Sequence, residues 1–358
     1  MKVKGCYDDS DLRTFTKGDV RLILANLYRG GEVENSHRGH VAIVDSQENV
    51  IAYVGNPKHL TYTRSTLKPV QAIPLIETGA AERFSLDQSE IALSCASHSS
   101  EEEHAVRVRA MLQKAGLSEA NLHCGGHPPL SQKVWEKFIA EGKKWTPIYS
   151  NCSGKHAGML LTAMHKQISI HDYEKMKHPI QQQILSAIVE MTHLTHAEIG
   201  TAIDGCGVPV FRMPLSKLAF VYARLADPKS VKQTTRQSTL FKIAEAMVHY
   251  PELVAGKGRF CTELMKAFQG RLIGKVGADG VYAIADRKMK LGIAVKLEDG
   301  NLNVTYAVVM ELLQQMRIGS ENEWSQLQTF RNPPILNSLG EIVGEIRPVF
   351  QLHQTPLK

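Results

Sequence analysis

The stretch at residues 271–300, "RLIGKVGADGVYAIADRKMKLGIAVKLEDG", decides the fold. It falls into three short runs, "RLIGKVG", "GVYAIADRK" and "MKLGIAVKLEDG", rich in β-branched and apolar residues and separated by turn residues, which is the pattern of neighbouring strands. A helical pattern through "VTYAVVMELLQQM" follows it. The same strand texture appears at the other end of the chain. There "VRLILANLYRG" is followed by "HVAIVDSQENVIAYVG", in which two β-branched runs flank a polar turn, a hairpin signature.

Between these ends the pattern is helical. From Ser65 to about Arg83 the run tolerates Pro69 in its first turn, while Pro74 should bend or break it. "SLDQSEIALSCAS" opens with a Ser85-x-x-Gln88 capping box and predicts a second helix. "EEEHAVRVRAMLQKAG" predicts a third, with acids at its start and Gly116 at its end. "SGKHAGMLLTAMHK", "HPIQQQILSAIVEMT", "LSKLAFVYARLA" and "TLFKIAEAMVHY" continue the series, and "IGTAIDGCGVPVFRMP" reads as strand and loop. Strands at both ends and helices between them predict an α/β (α+β) fold. One mixed or antiparallel sheet is drawn from about 18–64 and 271–320, covered by helices, with an all-helical middle subdomain over about 65–270. Residues 18–358 are expected to form a single domain, preceded by a loosely held arm over 1–17, where no apolar periodicity is seen.

A chain of 358 residues, 43% hydrophobic and 22% charged, has the composition of a globular protein with a sizeable core. Its formal charge of +6 is spread among 36 acidic residues with no basic stripe, which argues against nucleic-acid binding, since phosphate recognition needs clustered cations. The N-terminal residues lack the apolar core of a signal peptide and no run reaches the roughly 20 apolar residues of a membrane span. The expectation is a cytoplasmic protein without a membrane partner. The six cysteines are widely spaced with no C-x-x-C pair, and they are expected to be reduced.

Two clusters carry possible chemistry. Ser65-x-x-Lys68 at a helix start puts hydroxyl and amine on one face, one turn apart. A lysine with an ordinary pKa of about 10.4 is a poor base at neutral pH, so it needs burial or a neighbouring cation. Serine β-lactamases and penicillin-binding proteins combine such a pair with a Ser-x-Asn element and a Lys-Thr-Gly strand. Here Ser97 in "CASHSS" and Lys275-Val276-Gly277 in "RLIGKVG" follow in the same order, with Ser99 in place of Asn and Val276 in place of Thr. From spacing alone, these could equally be a helix start, a polar loop and a strand lysine. The second cluster is "SNCSGKHAGM" (Cys152, Lys155, His156) with "IDGCGVP" (Asp204, Cys206). It is open between a reactive thiol, a soft-metal site and small buried cysteines, because two cysteines with one lysine is no standard zinc set. His104, His165, His193 and His249 have no partner at metal spacing.

Taken together, "RSTLKPVQA", "CASHSSEEEH", "GGHPP", "SNCSGKHAGML", "HPIQ", "DGCGVPVF" and "IGKVGADGVYA" resemble the rhizobial-type L-asparaginase II family, in one consistent order from about residue 20 to about residue 320. The resemblance implies a fold similar to serine β-lactamases and glutaminases and hydrolysis of L-asparagine to L-aspartate and ammonia through two serine-lysine tandems, Ser65 with Lys68 and Ser97 with Lys275. It further implies one Zn2+ on Cys152, Lys155 and Cys206 assisting substrate binding, substrate contacts from Arg64, His156 and Asp204, Cys261 close to the same pocket, and a homodimer. A glutaminase, a penicillin-recognising hydrolase and a non-catalytic zinc- or amino-acid-binding protein are the alternatives on such a scaffold. One position departs from the pattern: Ser100 stands where glycine is expected, which would strain the loop carrying Ser97 if the backbone there has a positive φ.

Overall fold

The computed structural model describes residues 22–355, so the expected arm over 1–17 lies outside the described residues. The strands are β1 (Ile23–Arg29), β2 (Glu32–Asp45), β3 (Val50–Val54), β4 (Leu60–Tyr62), β5 (Gly200–Ile203), β6 (Pro209–Pro214), β7 (Leu272–Gly277), β8 (Val281–Asp286), β9 (Leu291–Leu297), β10 (Pro334–Leu336), β11 (Ile342–Pro348) and β12 (His353–Gln354). Nine of them form one sheet in the order β10-β11-β1-β2-β9-β8-β7, with β3 pairing β2 and β12 pairing β3. All its pairings are antiparallel. The sheet is thus built from the two ends of the chain.

β2 holds it together because it is long enough to serve two neighbourhoods. Its first half pairs with β1, and from Gly39 onward its second half pairs with β9. Glycine is required at that transition, since a Cβ on Gly39 would lie 2.3 Å from the Lys296 carbonyl oxygen. β7 and β8 are buried along their whole length, consistent with their nearly continuous apolar runs. Helix Leu215–Ala226 packs on β9, β8 and β2, and helix Leu302–Gln315 on β1, β8, β9 and β11. The first contact is so close that a Cβ on Gly292 would fall 1.8 Å from the Ala219 carbonyl oxygen.

The middle of the chain is helical, apart from the strand-and-loop stretch 199–214. That stretch supplies β5 and β6, which join β4 in a small separate sheet of order β4-β6-β5. Three local readings are refined. The run from 65 to 83 is a 3-10 turn (Arg64–Leu67) followed by short helices at Lys68–Gln71, Ile73–Glu77 and Ala80–Arg83, with a break at Ala72 ahead of Pro74. The next helix is Gln88–Ser94, and its cap is Asp87, not Ser85: Asp87 Oδ1 accepts from the Glu90 amide and Glu90 Oε2 accepts from the Asp87 amide. Finally, the sheet gains β10, β11 and β12 beyond residue 320, from short segments with no periodicity to mark them.

Candidate active site

Three segments distant in sequence bring the first cluster together. The helix Gln88–Ser94 stops three residues short of Ser97, whose amide is thereby free of the helix and donates to the Val254 carbonyl. Lys68 opens its short helix, and Lys275 stands in the middle of β7. Both lysines are fully buried, and both reach the same hydroxyl: Lys68 Nζ lies 3.0 Å and Lys275 Nζ 2.8 Å from Ser97 Oγ. Lys68 also donates to the Ala96 carbonyl at 2.5 Å, and Lys275 to the carbonyl of Val276 at 2.8 Å.

Two ammonium groups cannot comfortably share one buried oxygen. Burial first, and then the charge of Lys68, push the Lys275 amine down to about 7. Burial also lowers Lys68, against the opposing pull of Cys152. The trio therefore holds a neutral amine near neutral pH, which is what a general base requires.

Ser65 is placed differently. It is half-buried in the 3-10 turn, one turn from Lys68, whose amide donates to the Ser65 carbonyl while no hydrogen bond links the two side chains. Lys68 bonds the serine of the other tandem instead. Arg64, just before it, has a φ of +48°, an uncommon conformation for a long side chain. Its guanidinium Nε and Nη2 each meet Asp204 Oδ1 at 2.9 Å, and Nη1 pairs with Asp279.

Burial works against ionisation of Asp204, yet Lys155 and Arg64 hold its carboxyl below the usual range. Asp204 lies in the loop between β5 and β6 together with Cys206, which faces the start of helix Ser153–His165. There Lys155 Nζ donates to Cys206 Sγ at 3.0 Å. The Cys206 thiol is brought down to about 4, chiefly by a hydrogen bond from Cys152 and then by Lys155, while that same bond and burial push Cys152 up to about 12. Burial would lower Lys155, but the two sulfurs and Asp204 overcome it and raise the amine.

Cys152, Lys155 and Cys206 thus converge as two sulfurs and a nitrogen, a set that suits a thiophilic divalent ion. No group of three His, Cys, Asp or Glu able to hold a metal occurs among the described residues, and here one of the three donors is a lysine. His156, in the next position, is fully buried and lowered to about 3, by burial first and Lys155 second. Its Nδ1 pairs with the Tyr173 hydroxyl at 2.7 Å and its Nε2 has no partner, a buried polar atom left for a ligand.

Cys261 sits behind β7. Its sulfur accepts from the Val276 amide at 3.2 Å and from the Tyr282 hydroxyl at 3.4 Å, one residue from Lys275. Ser100 has a φ of +64°, so the strain expected of a non-glycine residue is present. The serine has its own compensation: its hydroxyl donates to the Tyr149 carbonyl at 2.6 Å. Its amide donates to His98 Nδ1, whose ring reaches Ser153 Oγ at 2.8 Å, and Ser153 donates on to the Ile148 carbonyl. The loop carrying Ser97 is thereby tied to the helix carrying Lys155.

Three contributors escaped the sequence reading. Arg259 donates to the Ser97 carbonyl at 3.0 Å, and Tyr173 holds His156. Asp279 belongs to the β7–β8 turn, where the Asp-Gly pair signals a tight hairpin but nothing about a partner. Arg259 and Tyr173 had no local signal.

The family model described as L-asparaginase II matches residues 25–348. No curated protein matches the chain significantly. Among solved structures, a β-lactamase from Mycobacterium bovis aligns at 15% identity and a TM-score of 0.42, covering 77% of this chain and 94% of that one. A D-alanine carboxypeptidase from Burkholderia cenocepacia aligns at 14% identity and a TM-score of 0.36, covering 74% and 88%. Likenesses this distant carry no argument about the chain, in contrast to the family match over nearly its whole length.

Proposed function

Because the chain belongs to the L-asparaginase II family and is on that ground an amidohydrolase, we propose that it hydrolyses L-asparagine to L-aspartate and ammonia through a seryl ester. The observation that carries this reading is the Ser97 hydroxyl held between two buried lysine amines, one of them titrating near 7.

Arg64 takes the α-carboxylate and Asp204 the α-ammonium of the substrate, one charge of each sign, which fixes the side-chain amide beside the serines. Ser65, the more accessible serine and the neighbour of Arg64, attacks the amide carbon. Its C–O bond forms as the hydroxyl proton passes to Lys68. The proton then goes to the departing nitrogen as the C–N bond breaks, which releases ammonia and leaves a β-aspartyl ester. Water repeats the sequence on the ester and frees aspartate. Ser97 Oγ can accept from one amine while donating to the other, so the excess proton moves between Lys68 and Lys275 without leaving the core. The Ser65 hydroxyl and the Lys68 amine, one turn apart, are drawn into a hydrogen bond by the substrate, since catalytic bonds tighten in the Michaelis complex.

Cys152, Lys155 and Cys206 would hold one zinc ion. When bound, the metal supplies fixed positive charge that assists substrate binding, and no step is assigned to it. The homodimer is part of the same reading, to be checked by sedimentation.

The test is ammonia release from asparagine, against glutamine and against nitrocefin turnover, with peptide mapping after reaction with an acylating asparagine analogue. Label on the peptide holding Ser65 and preference for asparagine support the reading. Label on the peptide holding Ser97 would exchange the two serines' roles, and no labelled serine would sink the ester. Ser65→Ala should lower turnover at least about a thousandfold.

A further inference from the structure

All three guanidinium nitrogens of Arg64 are engaged by carboxylates, Nε and Nη2 by Asp204 and Nη1 by Asp279. The two acids are held very differently. Asp204 is 12% exposed and accepts both the Gly205 amide at 2.8 Å and two guanidinium nitrogens of Arg64. Asp279 is 69% exposed, at the tip of the β7–β8 turn with a φ of +58°.

The backbone of that tip is fixed independently of the side chain. β7 and β8 pair without a break from Leu272–Asp286 to Gly277–Val281, and Lys296 Nζ donates to the Asp279 carbonyl at 2.5 Å. Rotation of the Asp279 side chain alone can therefore release Arg64 without disturbing the hairpin.

We propose that Asp279 occupies, in the free protein, the place on Arg64 that the substrate's α-carboxylate takes, so that binding exchanges an internal carboxylate for an external one. This rests on the assignment of Arg64 and Asp204 to the charged groups of the substrate. The exchange has a consequence for specificity. A simple acid trades one arginine–carboxylate pair for another and gains little. An α-amino acid makes the same trade and also gains Asp204 for its ammonium group. Asp279 thereby lowers the affinity of every carboxylate alike, and the extra gain from Asp204 separates zwitterions from plain acids.

Asp279→Asn removes the charge and keeps the shape, and asparagine tolerates the left-handed backbone at this position. Asp279→Gly is a second variant with the same backbone freedom. Calorimetric titration with L-aspartate, with succinamate, which lacks the ammonium, and with β-alaninamide, which lacks the carboxylate, reads the exchange directly. Both variants should bind aspartate and succinamate about two- to fivefold more tightly, the scale of an exposed ion pair, with β-alaninamide unchanged. The Michaelis constant for asparagine should fall, with the gain in KM and not in kcat. Unchanged or weaker aspartate binding, or an equal gain for β-alaninamide, would overturn the proposal. If the wild-type protein releases no ammonia from asparagine, the hydrolytic function falls while the aspartate and succinamate titrations still decide on Asp279. If it hydrolyses asparagine and the variants bind no tighter, only the role of Asp279 falls.

Discussion

At the scale of residues, the centre is governed by how protons are shared between Lys68 and Lys275 across Ser97 Oγ. Burial and the Lys68 charge hold Lys275 at about 7, well below the value of about 10.4 for a free lysine. The neutral amine therefore exists in the folded protein above about pH 7 and is lost as pH falls through that value. The dependence of kcat/KM on pH should show an acid limb near 7, and Lys275→Met should abolish or displace it. A limb left in place by that substitution would assign the titration elsewhere. The same depression bears on stability. Between about pH 7 and 10.4 the unfolded chain binds a proton that folded Lys275 does not, so this group's penalty shrinks as pH rises across that window. Ser100 offers a second test. Its left-handed backbone costs roughly 1 kcal/mol or more, and its hydroxyl bond to the Tyr149 carbonyl returns about 1 kcal/mol. Ser100→Gly should thus stay within about 1 kcal/mol of the parent in urea unfolding. Ser100→Ala keeps the strain, loses the bond and should fall by about 1 kcal/mol. The reverse ranking would mean that the loop is not strained.

At the scale of elements, the start of helix Ser153–His165 and the β5–β6 loop bring together Cys152, Lys155 and Cys206, the three donors proposed for zinc. Cysteine ligates as thiolate and lysine only as the free amine, so metal uptake should release protons and weaken as pH falls. Chelation should raise KM for asparagine and leave a measurable kcat at saturation. Folded, metal-free protein that turns over asparagine at no concentration would make the ion catalytic. The candidate site was legible through the family resemblance of the short motifs that hold Ser65, Lys68, Cys152, Lys155, Asp204 and Cys206, whereas their spacing alone left both clusters open. Which lysine meets which serine was not. That pairing is set by where the helix Gln88–Ser94 ends and by the depth at which β7 places Lys275, and both are tertiary facts. Arg259 and Tyr173 were invisible for the same reason, since each acts on a residue far away in sequence.

For the whole molecule, the strands at 271–297 were readable because they are buried along their length and so spelled in nearly unbroken apolar runs. β10 to β12 were not, since β10 and β12 have only three and two residues and β11, with seven, is half-buried and carries no unbroken apolar run. They still matter to the sheet: β11 covers the outer edge of β1, and Ile346 and Phe350 are almost fully buried. Ending the chain at Asn332 should remove roughly 3–6 kcal/mol from these two side chains alone, lower the melting temperature in calorimetry and expose a pairing edge. An unchanged melting temperature would show that the last strands contribute nothing. The pairing of chain ends also has a meaning in time. Lys275 lies 178 residues after Ser97, and β11 is made last of the strands that flank β1. A growing polypeptide leaving the ribosome therefore carries the hydroxyl and one lysine long before the second amine arrives, and β1 waits with an open edge through most of synthesis. The nascent protein is inert towards amides until nearly all of it has been translated, and during that interval it is a natural client for chaperones that shield unpaired strands.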